Sequence, residues 1–351
     1  MNPALGDCGG EVTVDRLREA WRRAVTAELC WTNPDGTPAA IAVTPVVRGA
    51  GSAVPTLCAA LPYARADEVA GLREADAAVF AVTDSRSLPG DAGVPEAAGT
   101  GFAGSADGAP VRTGVAASAA VRIVDDLDGE LFTDELLDQE LVKYPPSRAL
   151  ADSVLLRREN WWWLPRIVVE LTGPAADAGS AGTMPLPART DPTRHALLVG
   201  PAACAPEQPD TPELRSSPEL RRVPELRSVP DLRRVPELRS VDVGADAAPH
   251  PAMPSGVATV RELTGEPLPP APGGALVFGY DYTMPDLERW EAWSLTGTVD
   301  GERLAVDART GAPGADLRTL GLLARTRRHR ALAKACRAGV RAAEGRPQPA
   351  P

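Results

Sequence analysis

Several groups of residues in this chain have the types and spacing to do chemistry. Asp125, Asp126 and Asp128 put three carboxylates into four residues, enough oxygen for a hard cation. No glutamate follows at the twelfth position of a calcium loop, so the stretch reads as an acidic turn and no metal site is expected. Gly99-Thr100-Gly101-Phe102-Ala103-Gly104 satisfies the dinucleotide fingerprint G-x-G-x-x-G. That chemistry needs a strand before it and a helix after it, so that a pyrophosphate can sit on the helix N-terminus. Here a Gly/Ala/Pro/Asp-rich run flanks it on both sides, which predicts a loop. Trp161-Trp162-Trp163, followed closely by Arg166, offers flat apolar faces and a fixed cation. His195, His250 and His329 stand in unrelated contexts and make neither a zinc site nor a triad. There is no G-x-S-x-G elbow, no P-loop and no Cys-x-x-Cys pair.

Bulk properties narrow the field further. A length of 351 residues suits two domains, or one with long insertions. The formal net charge of −10 argues against nucleic acid as a partner. All basic residues except Lys143 and Lys334 are Arg, which reads as genomic codon bias rather than phosphate recognition. Five cysteines without motif spacing fit a reduced cytoplasm better than a disulfide scaffold. Residues 1–10 have no basic n-region and no apolar run, and no window approaches a membrane span, so neither a signal peptide nor a membrane partner is expected.

The elements that must position these groups can be read in order. Residues 11–27 carry Val14, Leu17, Trp21, Ala24 and Val25 at helical spacing. Leu29 and Trp31, then Ile41 and Val43, alternate as half-buried strands do, and Asn33-Pro34-Asp35-Gly36 supplies turn chemistry between them. Strands are expected over 55–60 and 77–83 with a short helix at 67–74 between them, and a further strand over 115–124. Thr133 can cap a helix ending at Tyr144, before Pro145-Pro146, and Ser147 can cap another over 148–158. The tryptophans are expected in extended chain leading into a strand over 167–171. Trp161 and Trp163 would then share one side, against a core, a subunit interface or a cofactor ring.

Asp35-Gly36-Thr37-Pro38, the apolar strand after it and its ending Pro45-Val46 carry a family resemblance. With the order strand, strand, strand, short helix, strand, the chain over about residues 12–173 resembles the pyridoxamine 5′-phosphate oxidase-like group with its FMN-binding split β-barrel. The resemblance implies an α+β protein: an antiparallel split barrel of the six-stranded type. It also implies FMN or deazaflavin as cofactor, an oxidoreductase acting on a small-molecule substrate, and a homodimer with the cofactor between subunits. The expected cofactor-binding residues are Pro45, Arg65, Trp161, Trp163 and Arg166, and no catalytic residue can be named. The chain departs from the family at the phosphate clamp. The Ser/Thr-Arg-Lys element falls on Ala66, Asp67 and Glu68, and a carboxylate there repels a phosphate. Arg65, just upstream, is either the replacement or a solvated surface residue.

The expected organisation is a flavin-type domain over 1–173, a linker over 174–192, a second and smaller β-hairpin and helix region over 193–344, and a disordered tail over 345–351. Within the second region, residues 201–255 are Pro-rich and hold five hexamers: TPELRS, SPELRR, VPELRS, VPDLRR and VPELRS. Pro every six residues forbids a continuous α-helix, and the expectation is a semi-stiff or disordered spacer. A short helix is expected after Thr283, a hairpin around Asp300-Gly301, and a long basic helix over 317–343 packed on the acidic body of its own protein. Two β-units in one chain could also make an internal pseudo-dimer. The competing non-enzymatic reading is a split-barrel scaffold that has lost its phosphate clamp and serves binding or assembly.

Overall fold

The structure is a computed structural model, and it describes residues 14–51, 55–75, 77–88, 112–151, 161–172, 183–200, 235–244, 256–268, 271–284, 287–314 and 317–346. The dinucleotide-like glycines, residues 152–160 and all but the last of the hexamers lie outside them.

Helix α1 (Val14–Arg23) leads into β1 (Ala27–Thr32) and β2 (Pro38–Val43). The expected hairpin is present, with Leu29 opposite Ile41, Gly36 at φ +85° and the Thr37 amide donating to Asp35. After Thr44 come β3 (Pro45–Arg48) and β4 (Thr56–Pro62). Two 3₁₀ turns, Tyr63–Val69 and Gly71–Glu74, precede β5 (Ala77–Val82), and β6 (Thr113–Asp126) follows. A π-turn (Phe132–Leu136) opens onto α2 (Leu137–Lys143), then α3 (Pro146–Ala151), then β7 (Arg166–Thr172). The sheet order is β2-β1-β5-β6-β7-β4-β3, with an eighth strand, β8 (Thr183–Pro187), on β6. The two ends of this path, β2 and β3, are consecutive in the chain with only Thr44 between them. The sheet therefore curls round until a single kinked segment serves both edges, which leaves few unpaired edge groups. Strand β8 falls in the stretch read as linker, so the chain revisits the first sheet before leaving it.

The second unit is more than a hairpin with a helix. Strands β9 (His195–Val199), β10 (Leu238–Val243), β11 (Gly256–Glu262), β12 (Ala271–Tyr282), β13 (Trp290–Asp300) and β14 (Arg303–Thr310) close an antiparallel barrel in the order β10-β11-β14-β13-β12-β9. The six-stranded barrel is thus the second unit, while the first sheet has eight strands. The final hexamer, residues 235–240, is no spacer: its Leu238 and Ser240 are buried in β10, which pairs with β9. Pro236 lies before the strand, where its missing donor costs the ladder nothing. The described residues after Thr283 form no helix. Thr283 instead closes a tight loop, its carbonyl accepting from the Leu287 amide and its hydroxyl from the Arg289 amide, with Leu287 at φ +48°. Trp290 then opens β13.

Helix α4 (Leu322–Glu344) returns to the first unit and lies on its 3₁₀ turn at Tyr63–Val69, burying Ala333, Cys336, Val340 and Ala343. Gly339 sets this contact. A Cβ there would stand 2.4 Å from the Tyr63 carbonyl oxygen, too close for any carbon. Gly339→Ala is expected to lose about 1 kcal/mol net, because overpacking of about 1–3 kcal/mol outweighs the roughly 1 kcal/mol gained in helix propensity. Urea denaturation checks this, and an unchanged or raised stability would contradict the packing account.

The two units share one apolar seam. Cys30, Ala42 and Val79 of the first pack with Leu197, Phe278 and Tyr280 of the second. A fully buried polar cluster crosses the same seam. Glu28 accepts from Arg189 Nη2 and from the Tyr280 hydroxyl, each at 2.6 Å, and from the Thr83 amide and hydroxyl at 3.1 and 2.9 Å. Burial alone would lower the Arg189 guanidinium pKa, but Tyr280 and Glu28 outweigh it and hold the charge more firmly than usual.

Candidate functional site

A cavity of 1160 Å³ opens between the two units and beneath α4. It exceeds most small-molecule sites and has room for a cofactor with its substrate. Strands β1 and β2 give it Trp31, Ala40 and Ala42. The barrel of the second unit gives Phe278, Trp290 and Trp293, and α4 gives Arg325, Arg328 and His329. The small side chains of β2 matter here, since Ala at 40 and 42 leaves open the space that larger strand residues would fill.

The deep end is built by α2, α3 and the segment before β7. Arg166 is 1% exposed, and its guanidinium lies 3.9 Å from the centre of the Phe132 ring and 4.5 Å from that of Trp163. Burial pushes its pKa down, and Glu140 works against that. The pairing is loose: Arg166 Nη2 is 3.5 Å from Glu140 Oε1, and Nη1 donates to the neighbouring Pro165 carbonyl. Its Nε has no hydrogen-bond partner among the described residues. Glu140 Oε1 also accepts from the Ser147 hydroxyl at 2.6 Å. A buried donor and acceptor therefore stand side by side at the end of an aromatic slot. The buried indole N–H of Trp293, also on the cavity wall, likewise lacks a partner among the described residues.

The mouth is cationic but partly self-satisfied. Arg65 donates to Glu68 Oε2 through Nε and Nη2 at 2.9 and 2.6 Å, and to the Ala42 carbonyl at 3.1 Å. The residue at the departed clamp position thus holds the candidate replacement. Arg325 pairs with Glu288, and Arg328 donates to the Glu288 carbonyl.

Of the residues expected from sequence to hold a cofactor, Arg65, Trp163 and Arg166 line this cavity together. Pro45 does not; it is buried behind the wall, where its carbonyl accepts from Lys143 Nζ at 2.6 Å. Trp161 does not either, being 56% exposed. The tryptophans form a 3₁₀ turn, not extended chain, closed by the Leu164 amide on the Trp161 carbonyl. Three residues per turn send Trp161 outward while Trp162 and Trp163 stay buried, and Pro165 delays the strand to Arg166. No protein-family model and no curated protein matches this chain. Sequence reasoning missed Glu140, Ser147, Trp290 and the α4 side chains. Tyr144-Pro145-Pro146 read only as a helix stop, and nothing local signals that a stop will face a barrel more than a hundred residues away. Asp125, Asp126 and Asp128 are engaged in the fold: Asp125 takes both Arg73 and the Tyr63 hydroxyl, Asp126 accepts from the Leu131 and Phe132 amides, and Asp128 accepts from the Glu130 amide.

Proposed function

We propose that this cavity binds a flat heteroaromatic cofactor of the flavin or deazaflavin type, FMN or a deazaflavin, and that the chain is an oxidoreductase-like protein acting on a small molecule. The observation that carries the reading is the pairing of Arg166 with Glu140 at the end of a slot walled by Trp163 and other aromatic side chains. A ring system with adjacent carbonyl and N–H groups on one edge fits such a donor and acceptor, and the aromatic walls fit its faces. The protein's part would be to orient and shield the ring, while the redox chemistry belongs to the cofactor. The curled first sheet agrees with the split-barrel resemblance. In this reading the barrel of the second unit would take the part of the partner subunit, and the chain would be an internal pseudo-dimer. The Arg65–Glu68 pair favours the alternative, a binding or assembly scaffold without cofactor, because it leaves that arginine less free to hold a phosphate.

An absorption spectrum of the purified protein, with the supernatant of a denatured sample beside it, tests the proposal. A flavin or deazaflavin band released on denaturation is expected. Protein stripped of cofactor should rebind FMN or the deazaflavin, and Arg166→Gln should bind it at least about tenfold more weakly, one charged hydrogen bond being worth roughly 1.5–3 kcal/mol. A colourless protein that binds neither added compound would leave the scaffold reading in place.

A further inference from the structure

The C-terminal helix packs on the body of its own protein, as its sequence leads one to expect, but through its apolar face and not through its basic residues. Between Leu322 and Glu344 it carries seven Arg and Lys against one Glu, and it docks through Ala333, Cys336, Val340 and Ala343. Only Arg325 and Arg328 turn to the body, toward Glu288. Arg327, Arg330, Lys334, Arg337 and Arg341 are exposed, and none meets a carboxylate among the described residues. Their spacing is 3-4-3-4, which on an α-helix is one straight row of about 21 Å. Beside the row runs a groove of 560 Å³, floored by Trp162 and edged by His329, Arg330, Lys334, Arg337 and Arg341. His329 also lines the large cavity, so the groove and the cavity are separated by little more than the width of α4.

We infer that this face of α4 is the docking surface for an acidic helical segment of a partner protein. Five cations in one row, none of them meeting a carboxylate among the described residues, repel one another. The mean rise between them is about 5 Å, the rise between carboxylates placed at the same 3-4 spacing on a second helix. Exposed Ala331, Ala335, Ala338 and Ala342 lie along the flank of the row, where their small size lets a second backbone approach. A second copy of α4 is excluded as the occupant, because it would set cation against cation. Nucleic acid is disfavoured by the overall charge of −10, whose field opposes a long polyanion but is screened over the length of a short segment. The inference stands whether or not the cavity holds a cofactor.

Fluorescence anisotropy with the full chain provides the test. The probe is a labelled Ala/Gln helical peptide with five glutamates at 3-4-3-4 spacing. The control is a peptide of the same composition with the glutamates spread round the helix. The spaced peptide is expected to bind at least about tenfold tighter than the control, and to weaken at least about tenfold when Arg330, Lys334 and Arg337 are all changed to Glu or when salt is raised sixfold from low ionic strength. Should the triple reversal fail to fold by circular dichroism, Lys334→Ala with Arg337→Ala replaces it, with about a threefold loss expected. Equal binding of the two peptides, unchanged binding by the variants, no binding at all, or tighter binding of oligo-dT than of the spaced peptide would each overturn the inference.

Discussion

Arg189→Met is expected to lower the stability of the protein by about 3–5 kcal/mol, the usual cost of leaving one partner of a buried ion pair uncompensated. Glu28 is 0% exposed, so the carboxylate left behind has no route to water. It would keep the Tyr280 hydroxyl and the two Thr83 donors, which stabilise a carboxylate but carry no positive charge. Changing Glu28→Gln in the same chain should return much of the loss, because the remaining partners can satisfy a neutral amide. Urea unfolding of the wild type, both single variants and the double variant closes the cycle. A loss below about 1 kcal/mol for Arg189→Met would falsify the view that this pair fastens the seam. The cluster also joins β1 to β12, the two units at once. Loss of Arg189 should therefore weaken the coupling between them, and the single unfolding transition expected of the wild type should broaden or split in the variant.

The second large effect is one of pH. Lys143 is 8% exposed at the end of α2, and its Nζ donates to the Trp21 carbonyl at 2.8 Å and the Pro45 carbonyl at 2.6 Å. Both partners are neutral acceptors, and a neutral amine has two hydrogens to give them. Burial first, and the nearby Arg22 second, lower its pKa from 10.5 to about 7. Between those values the unfolded chain binds a proton that the folded chain does not. Stability therefore rises with pH across this window, and the deficit is fully present below about pH 7. The whole window corresponds to a change on the order of 5 kcal/mol, and the part from pH 7 to 8.5 to about 1.5 kcal/mol. Cys58, pushed up to about 12 by burial, works in the opposite direction at higher pH, because its thiol ionises first in the unfolded chain. Subtracting the stability of Lys143→Met from that of the wild type isolates the lysine. The difference should shift by about 1.5 kcal/mol in favour of the wild type between pH 7 and 8.5, and a pH-independent difference would show that the amine keeps an ordinary pKa.

Sequence and structure agree where the determining contacts are local. The β1–β2 turn is written in Asp35-Gly36, one residue accepting a nearby amide and the other taking a positive φ, and the β13–β14 turn at Asp300-Gly301 likewise sets its glycine at a positive φ, Gly301 at +57°. Apolar periodicity places α1, and its Trp21 then ties β3 to β4 by donating to the carbonyls of Val46 and Cys58 at 3.0 and 3.1 Å. What was not legible depends on distant partners. Trp290 looked like part of a helix face because the strand it pairs with across Tyr282 cannot be inferred from its neighbours. Arg166 was recognisable as a cation near aromatic side chains, but its acceptor Glu140 comes from a helix 26 residues earlier. The cavity is drawn from the first sheet, the barrel of the second unit and α4, so no window of sequence contains it.

The origin of β10 has a consequence for the gene. The seven residues VPELRSV occur at 223–229 and again at 235–241, where the second set supplies the strand as far as Val241. An in-frame loss of twelve codons by recombination between the two copies would leave the same seven residues in front of Asp242. Such a loss would shorten, and a gain would lengthen, only the connection between β9 and β10. Slippage in repetitive coding sequence usually threatens a fold. Here the frame of the repeat and the frame of the barrel coincide, so alleles that differ in repeat number should encode the same barrel on connections of different length.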